Sequence, residues 1–192
     1  LTLTAYGDME VSRLDEKPPG RKPVDTRLIA QEHMEQMIDG IARQITTGAR
    51  AYWVCPLVEE SEVVDLAAAT ERYEILQARF GDRVGLVHGR LKPAEKDAVM
   101  AKFAAGDLDI LVATTVIEVG VNVPQATIMV IEHAERFGLA QLHQLRGRVG
   151  RGAAQSYCFL MYAGRPSQTA RERLSIMRET EDGFLIAEKD LE

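Results

Sequence analysis

The stretch Gln144-Leu-Arg-Gly-Arg-Val-Gly-Arg151 places three arginines and two glycines within one or two helical turns. Arg148 and Arg151 lie three positions apart, so a helix would bring both guanidinium groups to one face, where they could bind one anion. Gly147 and Gly150 each cost a helix about 1 kcal/mol relative to alanine, which favours close approach of a partner to the backbone. A surface turn without a ligand is the alternative, and spacing alone does not separate the two.

Apolar runs alternate with helix-period segments on either side of this stretch. The helical segments carry apolar residues three or four positions apart, and glycines follow several of them. Continuous apolar runs of strand length predict strands that are buried on both faces. The predicted strands are residues 51–58, 84–87, 109–114, 126–131 and 156–162. The pattern predicts an α/β fold with a doubly wound, mainly parallel sheet and helices on both faces.

Ligands of such sheets bind at the carboxyl ends of the strands. Topology therefore predicts that three segments share one rim of the sheet. These segments are the loop 88–90, the segment after Thr114 and the arginine stretch 144–151.

Composition narrows the class of protein. The 192 residues are 46% hydrophobic and 27% charged, as in globular domains, and the formal charge is −6. Residues 133–165 nevertheless carry five arginines against Glu135 alone, which indicates a local anion site rather than a nonspecific coat for DNA. Cys55 and Cys158 lie in apolar runs and are interpreted as buried thiols. No metal-binding spacing, signal peptide or membrane-length apolar run occurs, so we expect no metal site, no membrane partner and a cytoplasmic protein.

Five ordered stretches together resemble the second RecA-like domain of superfamily-2 helicases, and most closely the RecG-type branched-DNA helicases. Residues 144–151 resemble motif VI, residues 113–124 resemble motif V, and residues 87–96 resemble the preceding nucleic-acid loop and helix. Residues 18–23 resemble the RecG linker, and residues 178–191 resemble the start of its translocation hairpin.

The resemblance implies a role in ATP hydrolysis for the arginine stretch. Arg148 and Arg151 would be arginine fingers that stabilise charge on the γ-phosphate of ATP. Gln144 would orient the γ-phosphate or the attacking water, and Gly147 would allow the approach. Arg146 is expected to pair with a structural carboxylate or with DNA.

Motif V would link DNA to the nucleotide. Thr114 and Thr115 would contact a DNA phosphate, and Glu118 and Gly120 would couple that contact to the nucleotide cleft. The family usually has Asp at the position of Asn122, so the hydrogen bond to the ATP ribose would here come from an uncharged acceptor.

The loop after the second predicted strand of this region is also expected to bind DNA. His88, Gly89 and Arg90 would contact a phosphate, helped by the positive end of a helix that begins near Pro93. His88 has an equal alternative, in which its side chain only completes a loop hydrogen bond.

The sequence contains no phosphate-binding G-x-x-x-x-G-K-[ST] loop and no D-E-x-H-type magnesium site. By resemblance, ATP and Mg²⁺ would bind mainly to a first motor domain, and that domain, a wedge domain and branched DNA would be partners. The chain alone is then expected neither to hydrolyse ATP nor to unwind DNA.

The expected organisation is an inter-domain connector at residues 1–30, a RecA-like domain at 31–165 and the start of a helical hairpin at 166–192. The alternatives are the motor of a transcription-repair coupling factor and a stand-alone nucleic-acid-binding module; the ends of the chain look cut from a longer protein, which argues against the second.

Overall fold

The structure, a computed structural model, describes residues 23–56, 62–114, 123, 125–150 and 154–179. Strands and helices alternate along these residues. The strands are β1 (Asp25–Ala30), β2 (Arg50–Cys55), β3 (Val84–Val87), β4 (Ile110–Thr114), β5 (Ala126–Ile131) and β6 (Tyr157–Tyr162). The helices are α1 (Met34–Ile45), α2 (Glu62–Phe80), α3 (Pro93–Ala105), α4 (Leu139–Arg146) and α5 (Gln168–Glu179).

All strand pairs in the described sheet are parallel, and the strand order is β1-β6-β5-β2-β4-β3. The central strands β2, β4 and β5 are buried along nearly their whole length, as their continuous apolar runs predict. The predicted α/β fold with a doubly wound parallel sheet is confirmed.

Strand β1 is an addition to the predicted sheet. Sequence assigned residues 1–30 to a connector, but residues 25–30 pair with β6 along their full length, from Asp25 with Tyr157 to Ala30 with Tyr162. Thr26 is buried because it faces the protein, whereas Arg27 points to solvent. The alternating pattern of residues 23–29 favours a short strand or hairpin within that connector, but it does not show that the strand joins the sheet beside β6. The domain boundaries themselves stay predictions.

Two hydrophobic clusters cover the two faces of the sheet. One face packs against α3, α4 and α5 through residues such as Tyr52, Phe103 and Leu142. The opposite face packs against α1 and α2 through residues such as Trp53 and Leu76. Alternate residues of a strand point to opposite faces, so Tyr52 and Trp53 belong to different clusters. This assignment decides which helices each polar residue at a strand end can reach.

The spacing of Thr169 and Glu172 predicts a capping box at the start of α5, but the helix begins at Gln168 instead. The hydroxyl Oγ of Ser167 accepts a hydrogen bond from the Ala170 N–H at 3.1 Å, so Ser167 is the N-cap. Ala170, Leu174 and Met177 recur three or four positions apart, which predicts an apolar stripe on this helix, and all three are buried. None of the helices in the described residues is long and apolar enough to cross a membrane.

Candidate functional site

The arginine stretch continues α4 for a further turn and then leaves the helical conformation. The Arg148 N–H donates to the Leu145 carbonyl at 3.0 Å, and the Val149 N–H donates to the Arg146 carbonyl at 3.2 Å. Gly150 ends this turn with a positive φ of 81°. The helical conformation therefore ends at Gly150, and the expectation that Arg148 and Arg151 share one face stays a prediction. Arg151 itself lies outside the described residues.

Gln144 and Arg148 occupy the accessible side of this turn. Gln144 is exposed and Arg148 is half-buried, and the four-residue spacing puts them one helical turn apart. Gly147 lies between them with helical backbone angles of −67° and −8°. An added Cβ at Gly147 would lie 3.4 Å from the Gln144 carbonyl oxygen, which is ordinary contact. The fold of this chain therefore does not itself require glycine at this position.

At position 150, by contrast, the fold does require glycine. Besides its left-handed φ, an added Cβ would lie only 2.7 Å from Cγ2 of Val24, the residue before β1. A side chain here would be strained and would also displace Val24. Gly150 thus ends the turn formed by residues 144–150, here called the arginine turn, where it meets the edge of the sheet.

Arg146 is a structural residue. It is 3% exposed, and its Nη1 donates to the Thr26 hydroxyl at 3.1 Å and to the Met177 carbonyl at 2.6 Å. These two contacts are with a hydroxyl and with a carbonyl near the end of α5, and the pairing with a carboxylate or with DNA that sequence led us to expect stays a prediction. A cation at a helix C-terminus is favourable because the last carbonyls lack intrahelical donors. Arg146 ties α4 to β1 and α5.

The loop after β3 makes its own hydrogen bonds. Nδ1 of His88 accepts a hydrogen bond from the Arg90 N–H at 3.2 Å. This nitrogen therefore completes a hydrogen bond within the loop, which is one of the two alternatives for His88. A neutral imidazole with this bond carries its proton on Nε2. Gly89 and Arg90 are exposed. The Glu95 carboxylate accepts from the Lys92 N–H at 2.9 Å. A carboxylate therefore already occupies the start of α3, where sequence predicted attraction for a phosphate.

Thr114 ends β4 and is 6% exposed, so its hydroxyl is much less accessible than the His88–Arg90 loop. The register pairs Val87 with Ala113, which brings the ends of β3 and β4 together. The other motif V residues singled out from sequence lie outside the described residues. These are Thr115, Glu118, Gly120 and Asn122.

The two groups of site residues lie at opposite sides of the sheet. Thr26, which holds Arg146, is on edge strand β1, four strand spacings from Thr114 on β4, or about 19 Å. Through Cys158 and Met129, Thr26 is level with Tyr52, whereas Thr114 is level with Cys55 at the end of β2. The contacts of the arginine turn are therefore not at the carboxyl rim, and the predicted single rim is not confirmed.

Sequence reasoning missed a buried ion pair at the carboxyl end of β5. Arg72 of α2 donates to Oε1 of Glu132, with Nη2 at 2.6 Å and Nε at 2.9 Å, and the side chains are 13% and 8% exposed. A signal was present, because Arg72 falls three residues after Ala69 and four before Leu76, on the buried stripe of α2. An arginine at such a position predicts a buried partner.

The two thiols are both buried, as expected. Burial raises the pKa of Cys158 to about 12, opposed by the positive charge of Arg146. Burial also raises the pKa of Cys55, and the nearby Glu132 carboxylate raises it further. Both side chains are therefore neutral packing groups and not nucleophiles at neutral pH.

Comparison with known proteins shows the family of this chain. The helicase conserved C-terminal domain matches residues 32–153. The ATP-dependent DNA helicase RecG of Escherichia coli K12 is 56% identical over 194 residues, and RecG of Bacillus subtilis is 50% identical over 194 residues. Both alignments cover 100% of this chain and 28% of the relative, so the chain spans little more than a quarter of their length.

Solved structures show the same relationship. RecG bound to a three-way DNA junction matches with a TM-score of 0.79 and 48% identity, over 93% of this chain and 23% of that one. The C-terminal domain of the DEAD-box protein Dbp5 matches with a TM-score of 0.59 at 17% identity, over 83% of this chain and 86% of that one, and shares the fold alone.

The chain therefore belongs to the helicase conserved C-terminal domain family, with the RecA-like fold of that family. The RecG helicases compared above are similar to it over the whole or nearly the whole of this chain.

Proposed function

We propose that this chain is the second motor domain of a cytoplasmic ATP-dependent helicase that remodels branched DNA, by fork reversal and Holliday-junction branch migration. The relatives favour this function over the motor of a transcription-repair coupling factor, because they are RecG helicases at 50% and 56% identity. The RecG structure with a three-way junction supports branched DNA as the partner. The first motor domain and the wedge domain would be supplied by the same polypeptide.

One observation carries the proposal: two arginines only two residues apart have opposite environments. Arg146 is buried and bonded to Thr26 and Met177, whereas Arg148 is half-exposed beside exposed Gln144. The contacts of Arg146 hold α4 to β1 and α5, whereas part of the Arg148 side chain is exposed to solvent. A guanidinium that is accessible in this way can reach a phosphate on a neighbouring domain.

The described residues fit ATP but supply no magnesium site. The arginine turn offers the guanidinium of Arg148 and the amide of Gln144, and Gly147 between them has no side chain to block a triphosphate. Among the residues that the structure describes, no group of three or more His, Cys, Asp and Glu side chains could hold a metal ion. We infer that Mg²⁺ is held with ATP by the first motor domain, and that this chain contributes positive charge.

ATP supplies the phosphoryl group that is transferred to water. Arg148 would donate hydrogen bonds where negative charge develops, which for inserted arginines is worth about 10³- to 10⁵-fold in rate. Gln144, one turn earlier, would orient the γ-phosphate or the attacking water. Arg151, Glu118, Gly120 and Asn122 remain part of this proposal from sequence alone.

DNA would bind at the other side of the sheet. His88, Gly89 and Arg90 are accessible enough to contact phosphates, with His88 donating from Nε2 because Nδ1 already accepts from Arg90. Buried Thr114 fits less well than this loop, and Thr115 stays a proposal from sequence. Contacts of this kind bind DNA regardless of base sequence.

The test is Arg148→Ala in the full-length protein. We expect ATP binding to be retained and the rate of hydrolysis to fall by at least about 100-fold. The matched control is Arg43→Ala, which removes an exposed arginine from α1 on the other face of the sheet and should leave the rate unchanged. Equal losses of ATP binding and turnover would make Arg148 a ground-state ligand and contradict its proposed role.

A further inference from the structure

Glu132, directly after β5, belongs to a network of four side chains with Arg72, Cys55 and Trp53. Arg72 binds Oε1 of Glu132, as described above, while the Cys55 thiol donates to Oε2 at 3.4 Å. The Arg72 guanidinium also lies over the Trp53 ring, 5.8 Å from its centroid. The Glu132 N–H donates to the Val54 carbonyl at 3.0 Å, so the backbone of this residue is fixed as well. Glu132 is thus held from α2 and from β2.

The next residue, His133, takes the chain past the end of β5 and from one face of the sheet to the other. Ile128, Val130 and Glu132 are two positions apart and so lie on the face of the sheet that packs against α1 and α2. Ala134 instead packs in the cluster on the α4 side. His133 makes this crossing with a φ of 52°, and it is the one non-glycine residue with positive φ in the described part of the chain. The Arg136 N–H donates to the His133 carbonyl at 2.9 Å, which leads into α4 seven residues after Glu132.

Neither feature is explained by stability. A buried ion pair often contributes no more than apolar residues of the same volume would, because both charges lose their hydration. A left-handed histidine is strained, and such strain persists only where the surroundings enforce it. Together they fix the direction in which the chain enters the segment that carries Gln144 and Arg148.

We propose that Arg72 is a positioning residue for the arginine turn, acting through Glu132 and the left-handed His133. This inference rests on the proposed role of Arg148 in ATP hydrolysis. Arg72 contacts neither the turn nor its ligand. Arg72 fixes the start of the connection from β5 to α4. It thereby helps to set the position of Arg148 relative to the γ-phosphate of ATP. Misplacement by about 1 Å can cost about 100-fold in rate.

The experiment uses Arg72→Met combined with Glu132→Leu in the full-length protein, which removes both charges and keeps apolar volume. We expect a melting temperature within about 3 °C of the wild-type protein. The value of kcat for DNA-stimulated ATP hydrolysis should fall about 10- to 100-fold, while the KM for ATP stays within about twofold. Wild-type kcat in this stable variant would overturn the proposal.

Arg72→Lys is the second variant, in case the double variant unfolds. It keeps the buried charge but loses the two-point contact with Glu132 and the stacking on Trp53, so kcat should fall by a smaller factor. Wild-type kcat in Arg72→Lys would also overturn the proposal. The control is Arg79→Met, on the same helix, which removes an exposed ion pair with Asp39 and should change neither kcat nor KM.

Arg148→Ala measured in parallel separates this inference from the proposed function. If Arg148→Ala leaves hydrolysis unchanged, the role of the arginine turn is wrong. If Arg148→Ala abolishes hydrolysis but the Arg72 variants keep wild-type kcat, only the positioning role of Arg72 is wrong.

Discussion

The two edges of the sheet hold their proposed site residues in different ways. At the β1 edge, the arginine turn is held by buried contacts, with Arg146 bonded to Thr26 and Gly150 packed against Val24. At the β3 edge, the His88–Arg90 loop is more accessible, and its described hydrogen bonds are local, within the loop itself. The difference teaches that a residue near phosphate chemistry can be placed either by rigid packing or by a short local loop.

This contrast agrees with the proposed tasks of the two edges. A catalytic arginine must meet one atom of a nucleotide on another domain, so small displacements are costly. A DNA-tracking loop must bind many successive phosphates of similar shape, so a local loop is sufficient. Five strand spacings separate the two edges, which leaves room for ATP and DNA to bind without touching.

The largest expected effect is the loss of Arg146. Arg146→Met leaves the Thr26 hydroxyl and the Met177 carbonyl without this buried donor, and should lower the free energy of unfolding by about 3 kcal/mol. Arg148→Met, two residues on, should change it by less than about 0.5 kcal/mol. Urea unfolding of the 192-residue chain measures both. Equal midpoints for the two variants would contradict the assignment of Arg146 to structure.

A smaller effect separates the two glycines of the turn. Gly150→Ala should destabilise the chain by about 2 kcal/mol, because it strains a left-handed residue and crowds Val24. Gly147→Ala should be neutral or stabilising by up to about 1 kcal/mol, because its backbone is already helical. Adding Val24→Ala should recover part of the loss at Gly150 and none at Gly147. A Gly147 variant as unstable as the Gly150 variant would show that both glycines are structural.

The smallest effect is expected at the β3 edge. In the full-length protein, Arg90→Ala should weaken binding to forked DNA severalfold and reduce the slope of log Kd against log salt by about 1. Lys102→Ala is the control, since this exposed lysine lies at the far end of α3. Titrations at several salt concentrations make the measurement. An unchanged slope would remove Arg90 from the proposed DNA contacts.

Sequence predicted the fold well where the pattern is local. Buried parallel strands are recognised as apolar runs, and helices α1, α2, α3 and α5 are recognised by the helical period of their apolar residues. The alternating pattern of residues 23–29 favours a short strand, but the place of β1 in the sheet depends on its pairing with β6, which no local pattern shows. The cap of α5 was placed two residues late, since Ser167 and Thr169 both satisfy the residue preference and only geometry separates them.

The site was less predictable because it depends on contacts between distant residues. Arg146 and Thr26 are 120 residues apart, and Arg72 and Glu132 are 60 apart, so no local pattern reveals either pair. The arginine stretch itself was found from its composition and its resemblance to motif VI. Its division into a buried and an accessible arginine required the structure.

The most direct test of the account is to mix the purified 192-residue chain with a separately made first motor domain of the same polypeptide and measure ATP hydrolysis. We expect background hydrolysis from the chain alone and from the first domain alone, and hydrolysis stimulated by forked DNA from the mixture. Substituting the Arg148→Ala chain should reduce that activity by at least about 100-fold. DNA-stimulated hydrolysis by the chain alone, or an equally active mixture with Arg148→Ala, would contradict the account.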